Sequence, residues 1–271
     1  MRAPAPAKIN LALVVGPPRD DGKHELVTIY QRLGIADRIE VTPAAELRVD
    51  GFPGDTLVRR ALEALAERAG VAPRWHARIE KRLPVAAGVG GGSSDAATAL
   101  RLANATLTEP LPTDTLHELA AALGADVPFF LAEGPQLGTG DGTTLAPLDL
   151  PQDFWVLLVL PRGAAKPSTA AVYQAFDERD GARGWEERRA ALLGALDAVR
   201  RPRDLASLPL NDLASSPLAD ELLALGAFRA DVSGAGPAVY GLFHHKRVAE
   251  AAKRSLKRPD GAWITAPAWY G

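Results

Sequence analysis

The stretch AAGVGGGSSDAA, residues 86–97, constrains this chain most: four glycines and two serines run straight into an alanine-rich helical pattern. A flexible linker would lead into further polar spacer instead of a helix. A dinucleotide fingerprint needs Gly-x-Gly-x-x-Gly, yet counting from Gly88 or Gly90 places Ser93 or Asp95 where the third glycine belongs. A Walker loop ends in Gly-Lys-Ser/Thr, and no lysine precedes Ser93. What survives is the physics these loops share. Glycines bare their backbone N–H groups, and a helix beginning near Ser93 or Ser94 adds its positive end. Together they favour an anion, a phosphate chain foremost. The serines could cap the helix, contact phosphate oxygens or help hold Mg2+ through a hydroxyl. The alternative is a tight glycine turn that binds nothing, and this stretch alone leaves both readings open.

The rest of the chain bounds the classes. Its 271 residues suit two domains, and 47% hydrophobic with 24% charged residues describes a globular protein with a real core. A net charge of −2 gives no field that would draw it onto nucleic acid or an anionic membrane, so neither is an expected partner. The absence of cysteine excludes thiol catalysis, thiolate metal sites and disulfide scaffolds, and fits a cytoplasmic location. No apolar run approaches the ~20 residues that cross a bilayer. The remaining histidines (His76, His117, His244 and His245) show no ligand spacing, and no protein metal site is expected.

Periodicity predicts mixed strands and helices, an α+β chain dividing into 1–150 and 151–271. KINLALVV alternates, with Ile9, Leu11 and Leu13 on one face and Lys8, Asn10 and Ala12 on the other. ELVTIYQRL, RIEV and ELRVD read as separate short strands. GDTLVRRALEALAERAG reads as a helix with Asp55 as its N-cap and Gly70 as its stop. Trp75, Ala77 and Ile79 mark the next strand, and after FWVLLVL the second half alternates helices with strands.

LPVAAGVGGGSSDAATAL resembles the second motif of the GHMP kinase superfamily, PAPAKINLAL the first and DVSGAGPAVYG the third, in the right order over residues 4–241. The resemblance implies a two-domain GHMP fold with the active site in the interdomain cleft. It also implies ATP as co-substrate and Mg2+ bridging the phosphates with few protein ligands. Pro84, Gly88, Val89, Gly90, Gly91, Gly92, Ser93 and Ser94 would hold the nucleotide. RDDGKHELVTIYQRL and GADVPFFL narrow the resemblance to the branch that phosphorylates the 2-hydroxyl of a cytidine-diphosphate-linked methylerythritol for isoprenoid synthesis. The alternatives are a GHMP kinase for homoserine or mevalonate, and a non-catalytic nucleotide- or RNA-binding protein on the same fold. A monomer or weak homodimer is expected.

By this resemblance Lys8 and Asp126 are catalytic, where their bland readings are a surface lysine and a turn aspartate. Asn10, two residues from Lys8, would touch substrate or support Asp126, and His24 would contact the cytosine. Gly234 of the third motif would help shape the substrate site. Two positions depart from the family. Lys23 stands where an aromatic residue often precedes the histidine, and Ala235 where a hydroxyl is often seen. Tyr173 is a candidate to stack on the opposite face of the base, or else one aromatic on the buried stripe of a helix.

Overall fold

A computed structural model describes residues 1–164 and 168–268. Strands β1 (Arg2–Pro18) and β2 (His24–Pro43) form a long antiparallel pair. The other edge of β2 carries β4 (Trp75–Glu80) near its C-terminal end and β5 (Gln136–Thr139) near its N-terminal end. β3 (Arg48–Asp50) adds in parallel to β4, and β6 (Thr144–Pro147) closes the sheet beyond β5. Helices α1 (Leu57–Ala69), α2 (Gly91–Asn104) and α3 (Thr113–Leu123) pack together over Ile39, Val41, Ala77 and Ile79.

The second half builds an antiparallel sheet in the order β10 (Gly261–Thr265), β7 (Trp155–Leu160), β9 (Val239–Phe243), β8 (Arg229–Val232). Its helices are α4 (Thr169–Glu178), α5 (Trp185–Asp197), α6 (Pro217–Ala224) and α7 (Lys246–Ser255). The two sheets share one core: Ile9, Leu11 and Val14 of β1 pack with Val156, Leu158, Tyr240 and Leu242. Burying apolar side chains from both halves in one cluster fixes the cleft between them, since such packing leaves little freedom to slide.

Four local expectations change. ELVTIYQRL and RIEV form one strand, because the Gly34 segment, which reads as a turn, is a bulge: pairing passes from Lys8↔Arg32 to Pro6↔Ala36. A second register shift between Asn10 and Ala12 reverses the alternation of β1. Ala12 therefore joins Ile9 and Leu11 in the shared core, while Leu13 turns to the other side with Val15, Leu26 and Phe176. In addition, α2 begins at Gly91, ahead of both serines. Gly90 is its N-cap in the left-handed region (φ 70°), so neither serine caps it. The N-cap of α1 is Thr56, one residue after the Asp55 expected there, although Asp55 still accepts from the Val58 amide at 3.0 Å; Gly70 ends that helix at φ 65° as expected.

Candidate active site

One cavity of about 600 Å³ opens over the β1–β2 pair, between α4 and the loops of both halves, and Lys8, Asn10, His24, Gly88, Ser93, Asp126, Tyr173 and Gly234 all line it. Its floor is laid by the β1–β2 pair, with Lys8, Asn10 and Leu13 from one strand and His24, Leu26 and Tyr30 from the other. Residues two apart on a strand share a face, so strand spacing alone groups His24, Leu26 and Tyr30 as one stripe.

At one end the Lys8 ammonium lies 3.2 Å from Asp126 and donates to Asn10 Oδ1 at 2.7 Å. Asn10 in turn donates to Thr28 Oγ1 at 2.8 Å, and Thr28 to the Ala12 carbonyl at 2.7 Å. This chain fixes which way the asparagine amide points, so its oxygen faces the ammonium. Asp126 sits in the turn after α3, anchored by buried Val127, Phe129 and Phe130. Phe129 stacks on Tyr30 at 4.9 Å. Burial, and then the neighbouring Asp126 carboxylate, raise the Tyr30 hydroxyl well above its ordinary value, so it stays protonated beside the pair.

The glycine loop meets this pair directly. The Lys8 amide donates to the Val89 carbonyl at 2.9 Å, and Ser233 Oγ donates to the Gly88 carbonyl at 3.0 Å. A Cβ at Gly88 (φ 82°) would come within 2.3 Å of the Ser233 carbonyl oxygen, so only glycine lets the second and third motifs touch. Gly234 (φ 56°) completes the corner, its missing Cβ position 3.4 Å from Asn10 Oδ1 and 3.6 Å from Lys8 Nζ. Asn211, which no motif flagged, holds this turn by donating to the Val232 and Gly234 carbonyls at 3.0 and 2.7 Å.

The other loop residues do not line the cavity. Gly91 faces Lys81, Gly92 faces Leu57, and Gly90 packs against Phe130 and Lys8; Val89 is buried. Ser94 is fully buried and its hydroxyl has no partner among the described residues. Below Gly91 lies a buried ionic cluster that sequence reading missed: Lys81 Nζ donates to Asp37 at 2.6 Å and to Asp95 at 2.9 Å. Asp37 also accepts from the Leu83 amide at 2.8 Å, at the entry to the loop.

At the far end the His24 and Tyr173 rings lie 4.8 Å apart, tilted by 35°. The two rings are in direct contact, and both line the cavity. His24 Nε2 is 2.8 Å from Asp177 Oδ1. Asp177, Gln174 and Asp141 line this end as well, none of them flagged by a motif. Burial, then the Asp126 charge, push the Tyr173 hydroxyl up to about 12. Lys23 reaches Asp141, and Ala235 lines the wall without offering a hydroxyl. Among the described residues no group of three or more His, Cys, Asp or Glu side chains could hold a metal, and no helix is long and apolar enough to cross a membrane.

Chemically, this is a glycine-rich helix N-terminus, whose free amides suit an anion, beside an ammonium–carboxylate pair, with aromatic and carboxylate groups also lining the trough. Residues 56–134 match the model for the GHMP kinases N terminal domain, and residues 192–260 that for the GHMP kinases C terminal domain. A 4-diphosphocytidyl-2-C-methyl-D-erythritol kinase of Kineococcus radiotolerans is 40% identical, over 88% of this chain and 79% of the relative. A crystal structure of 4-(cytidine 5'-diphospho)-2C-methyl-D-erythritol kinase is 33% identical with a TM-score of 0.76, covering 98% of this chain and 99% of that one. The Methanococcus jannaschii mevalonate kinase shares the fold at a TM-score of 0.75 and 13% identity, over 100% of this chain and 98% of that one. The chain is a small-molecule kinase and belongs to the GHMP kinase family.

Proposed function

We propose that the protein transfers the γ-phosphoryl group of ATP to the 2-hydroxyl of 4-diphosphocytidyl-2-C-methyl-D-erythritol, giving the 2-phosphate and ADP. The observation that carries this reading is the separation of the two polar ends. Tyr30, opposite Asn10 at the reacting end, and His24 at the other lie six residues apart on β2, roughly 20 Å along the strand backbone at ~3.3 Å per residue, and Tyr173 beside His24 reaches back far enough for the Asp126 charge to act on it. A small acceptor such as mevalonate or homoserine leaves the His24–Tyr173 end unused. A polyol joined through a diphosphate to a nucleoside spans the trough. The names of the relatives support the same acceptor.

In this reading the α2 N-terminus, the loop amides and Ser93 cradle the triphosphate. The Lys8 ammonium faces the transferring group and lowers the cost of charge developing there. Asp126 orients the acceptor hydroxyl and accepts its proton, with Asn10 fixing the position of the lysine. His24 and Tyr173 hold the base. Mg2+ fits as a partner of the nucleotide, since Asp126, already paired with Lys8, lines the cavity where the phosphates would lie and could help hold the ion. Phosphate oxygens would hold most of the ion, and it would neutralise charge on the transferring group. We place the enzyme in the cytoplasm as a monomer or weak homodimer without nucleic-acid or membrane partners, in keeping with its charge of −2 and its lack of cysteine.

An ADP-release assay over a panel of acceptors tests the proposal. Turnover of the cytidyl acceptor, with mevalonate and homoserine at least ~100-fold poorer in kcat/KM, is the expected result, since a site that pairs a polar group rejects ligands lacking it. Turnover of mevalonate but not of the cytidyl acceptor overturns it.

A further inference from the structure

The glycine loop holds a shape that its own sequence does not enforce. Every second residue from 86 to 90 lies in the left-handed region, at φ 55° for Ala86, 82° for Gly88 and 70° for Gly90. Ala86 carries a Cβ and is strained there, and a strained residue persists only where its surroundings over-determine it. On the inner side the Ala238, Lys8 and Ser233 donors hold the carbonyls of Ala87, Val89 and Gly88. On the outer side the two ends of the loop, its entry at 81–83 and its exit into α2, meet on three charged groups that the phosphoryl transfer does not use.

Asp37, fully buried on β2, takes the entry: its Oδ1 accepts from the Arg82 and Leu83 amides, and its Oδ2 accepts from Lys81 Nζ at 2.6 Å. Lys81 Nζ donates again, at 2.9 Å, to Oδ2 of Asp95, which lies four residues into α2. The missing Cβ position of Gly91, the first residue of that helix, is 3.4 Å from Lys81 Nζ and 3.6 Å from Asp37 Oδ2. The cluster thus sits directly under the point where loop becomes helix. Such a cluster is a poor source of stability, since desolvating the charges offsets much of their attraction. What charge-assisted hydrogen bonds supply is geometric specificity.

We infer that Asp37, Lys81 and Asp95 are positioning residues for the nucleotide, clamping the entry of the glycine loop to the first turns of α2 so that its amides are set before ATP arrives. The inference rests on the nucleotide cradle proposed above. None of the three lines the cavity. They act through the loop, by sparing ATP the cost of ordering it.

The test measures KM for ATP, KM for the acceptor and kcat at pH 8, where the Asp95 carboxyl is ionised. Asp95→Leu fills the space and removes the hydrogen bond, whereas Asp95→Asn removes the charge and keeps an acceptor for Lys81. Charge alone predicts a lower KM for ATP in both, because each takes a negative group away from the neighbourhood of an anion. The clamp makes them part: Asp95→Leu is expected to raise KM for ATP about tenfold with acceptor KM within about threefold, and Asp95→Asn to stay within about twofold of the unsubstituted enzyme, since only the first moves an ordering cost onto the ligand. Should Asp95→Leu fail to fold, Lys81→Met combined with Asp95→Leu makes the same comparison with apolar groups in place of the ion pair, an exchange that folds often tolerate. A KM for ATP unchanged or lowered in Asp95→Leu, or raised equally in both variants, overturns the inference; where Gly88→Ala still raises KM for ATP, the proposed cradle stands. A KM for ATP unchanged in Gly88→Ala as well takes the loop out of the nucleotide site and removes the cradle and the clamp together.

Discussion

Lys8 holds its ammonium 3.2 Å from the Asp126 carboxylate, the lysine side chain 3% exposed and the aspartate 32%. A buried cation thus faces a carboxylate that still opens to the cavity. The carboxylate can reach an incoming hydroxyl while the cation stays dry, where its field acts more strongly. Asp126→Ala is expected to lower kcat by at least ~100-fold, the scale of a positioned acid–base group. Lys8→Ala should fall in the same range. If the pair works as one unit, the double variant loses little more than the worse single variant. Steady-state kinetics on the three variants decide this, and losses that multiply would show independent roles.

Tyr173 touches His24 on one side and sits on a helix whose Val172 and Phe176 are packed against Leu13, Leu26 and Leu213. Its hydroxyl stays neutral far above physiological pH, so it contributes a ring face and a neutral hydrogen-bonding group. Tyr173→Phe should keep acceptor KM within about threefold. Tyr173→Ala should raise it by roughly 5- to 150-fold, since stacking on a base is worth ~1–3 kcal/mol. Equal effects of the two substitutions would show that the hydroxyl, not the ring, makes the contact.

Gly88→Ala tests whether the second and third motifs depend on their close approach. Its Cβ would lie 2.3 Å from the Ser233 carbonyl oxygen and 2.9 Å from that of Gly236, both backbone atoms. Overpacking of this kind costs ~1–3 kcal/mol, and the φ of 82° adds strain for any residue with a side chain. Gly134→Ala is the control: it also has positive φ (65°), but its Cβ would meet nothing within 4 Å. Thermal melts should show Gly88→Ala several degrees below Gly134→Ala, with KM for ATP raised in the first variant alone.

The site residues legible in the chain are those carried by short, ordered motifs: Lys8 and Asn10 in AKIN, His24 in DGKH, Asp126 in GADVPFF, and the glycine loop. Their roles come from the resemblance of those motifs to a known family, since on spacing alone Lys8 reads as a surface lysine, Asp126 as a turn aspartate and His24 as a loop histidine. Tyr30 and Asp141 give no such signal, because β2 and the turn at 140–143 place them in the cavity only through long-range pairing. Asn211 escapes for the same reason, as its partners at Val232 and Gly234 are distant in sequence. Leu13 lies on the face opposite to the one alternation predicts because a bulge leaves no trace in hydrophobic patterning, whereas every residue beyond it reverses. The helix starts at Gly91 and not at the serines because a left-handed Gly90 takes the cap position that a serine more often fills.

Asp95 carries the last expectation, which concerns stability and its dependence on pH. Its carboxyl lies 1% exposed in α2, paired through Oδ2 with Lys81 while Oδ1 has no partner among the described residues. Burial, then the nearby Asp37 charge, raise it from 3.8 to about 7, and the Lys81 charge only partly opposes them. Lys81 itself stays protonated throughout: burial opposes its charge, but the two carboxylates raise its value overall. The folded chain therefore keeps a proton on Asp95 in the window from about 4 to 7, where the unfolded chain has lost it. The stability this supplies is complete below the lower value, declines as pH rises to about 7, and is gone above it. Each tenfold difference in proton affinity between the folded and unfolded chain is worth ~1.4 kcal/mol, so the loss is on the order of a few kcal/mol. Asp95→Asn is neutral at every pH and should lack that slope. Melting temperatures at pH 5 and pH 8 should show the variant gaining several degrees on the unsubstituted protein between the two. A difference that does not change with pH would mean that Asp95 ionises at its ordinary value despite burial, with Lys81 compensating in full.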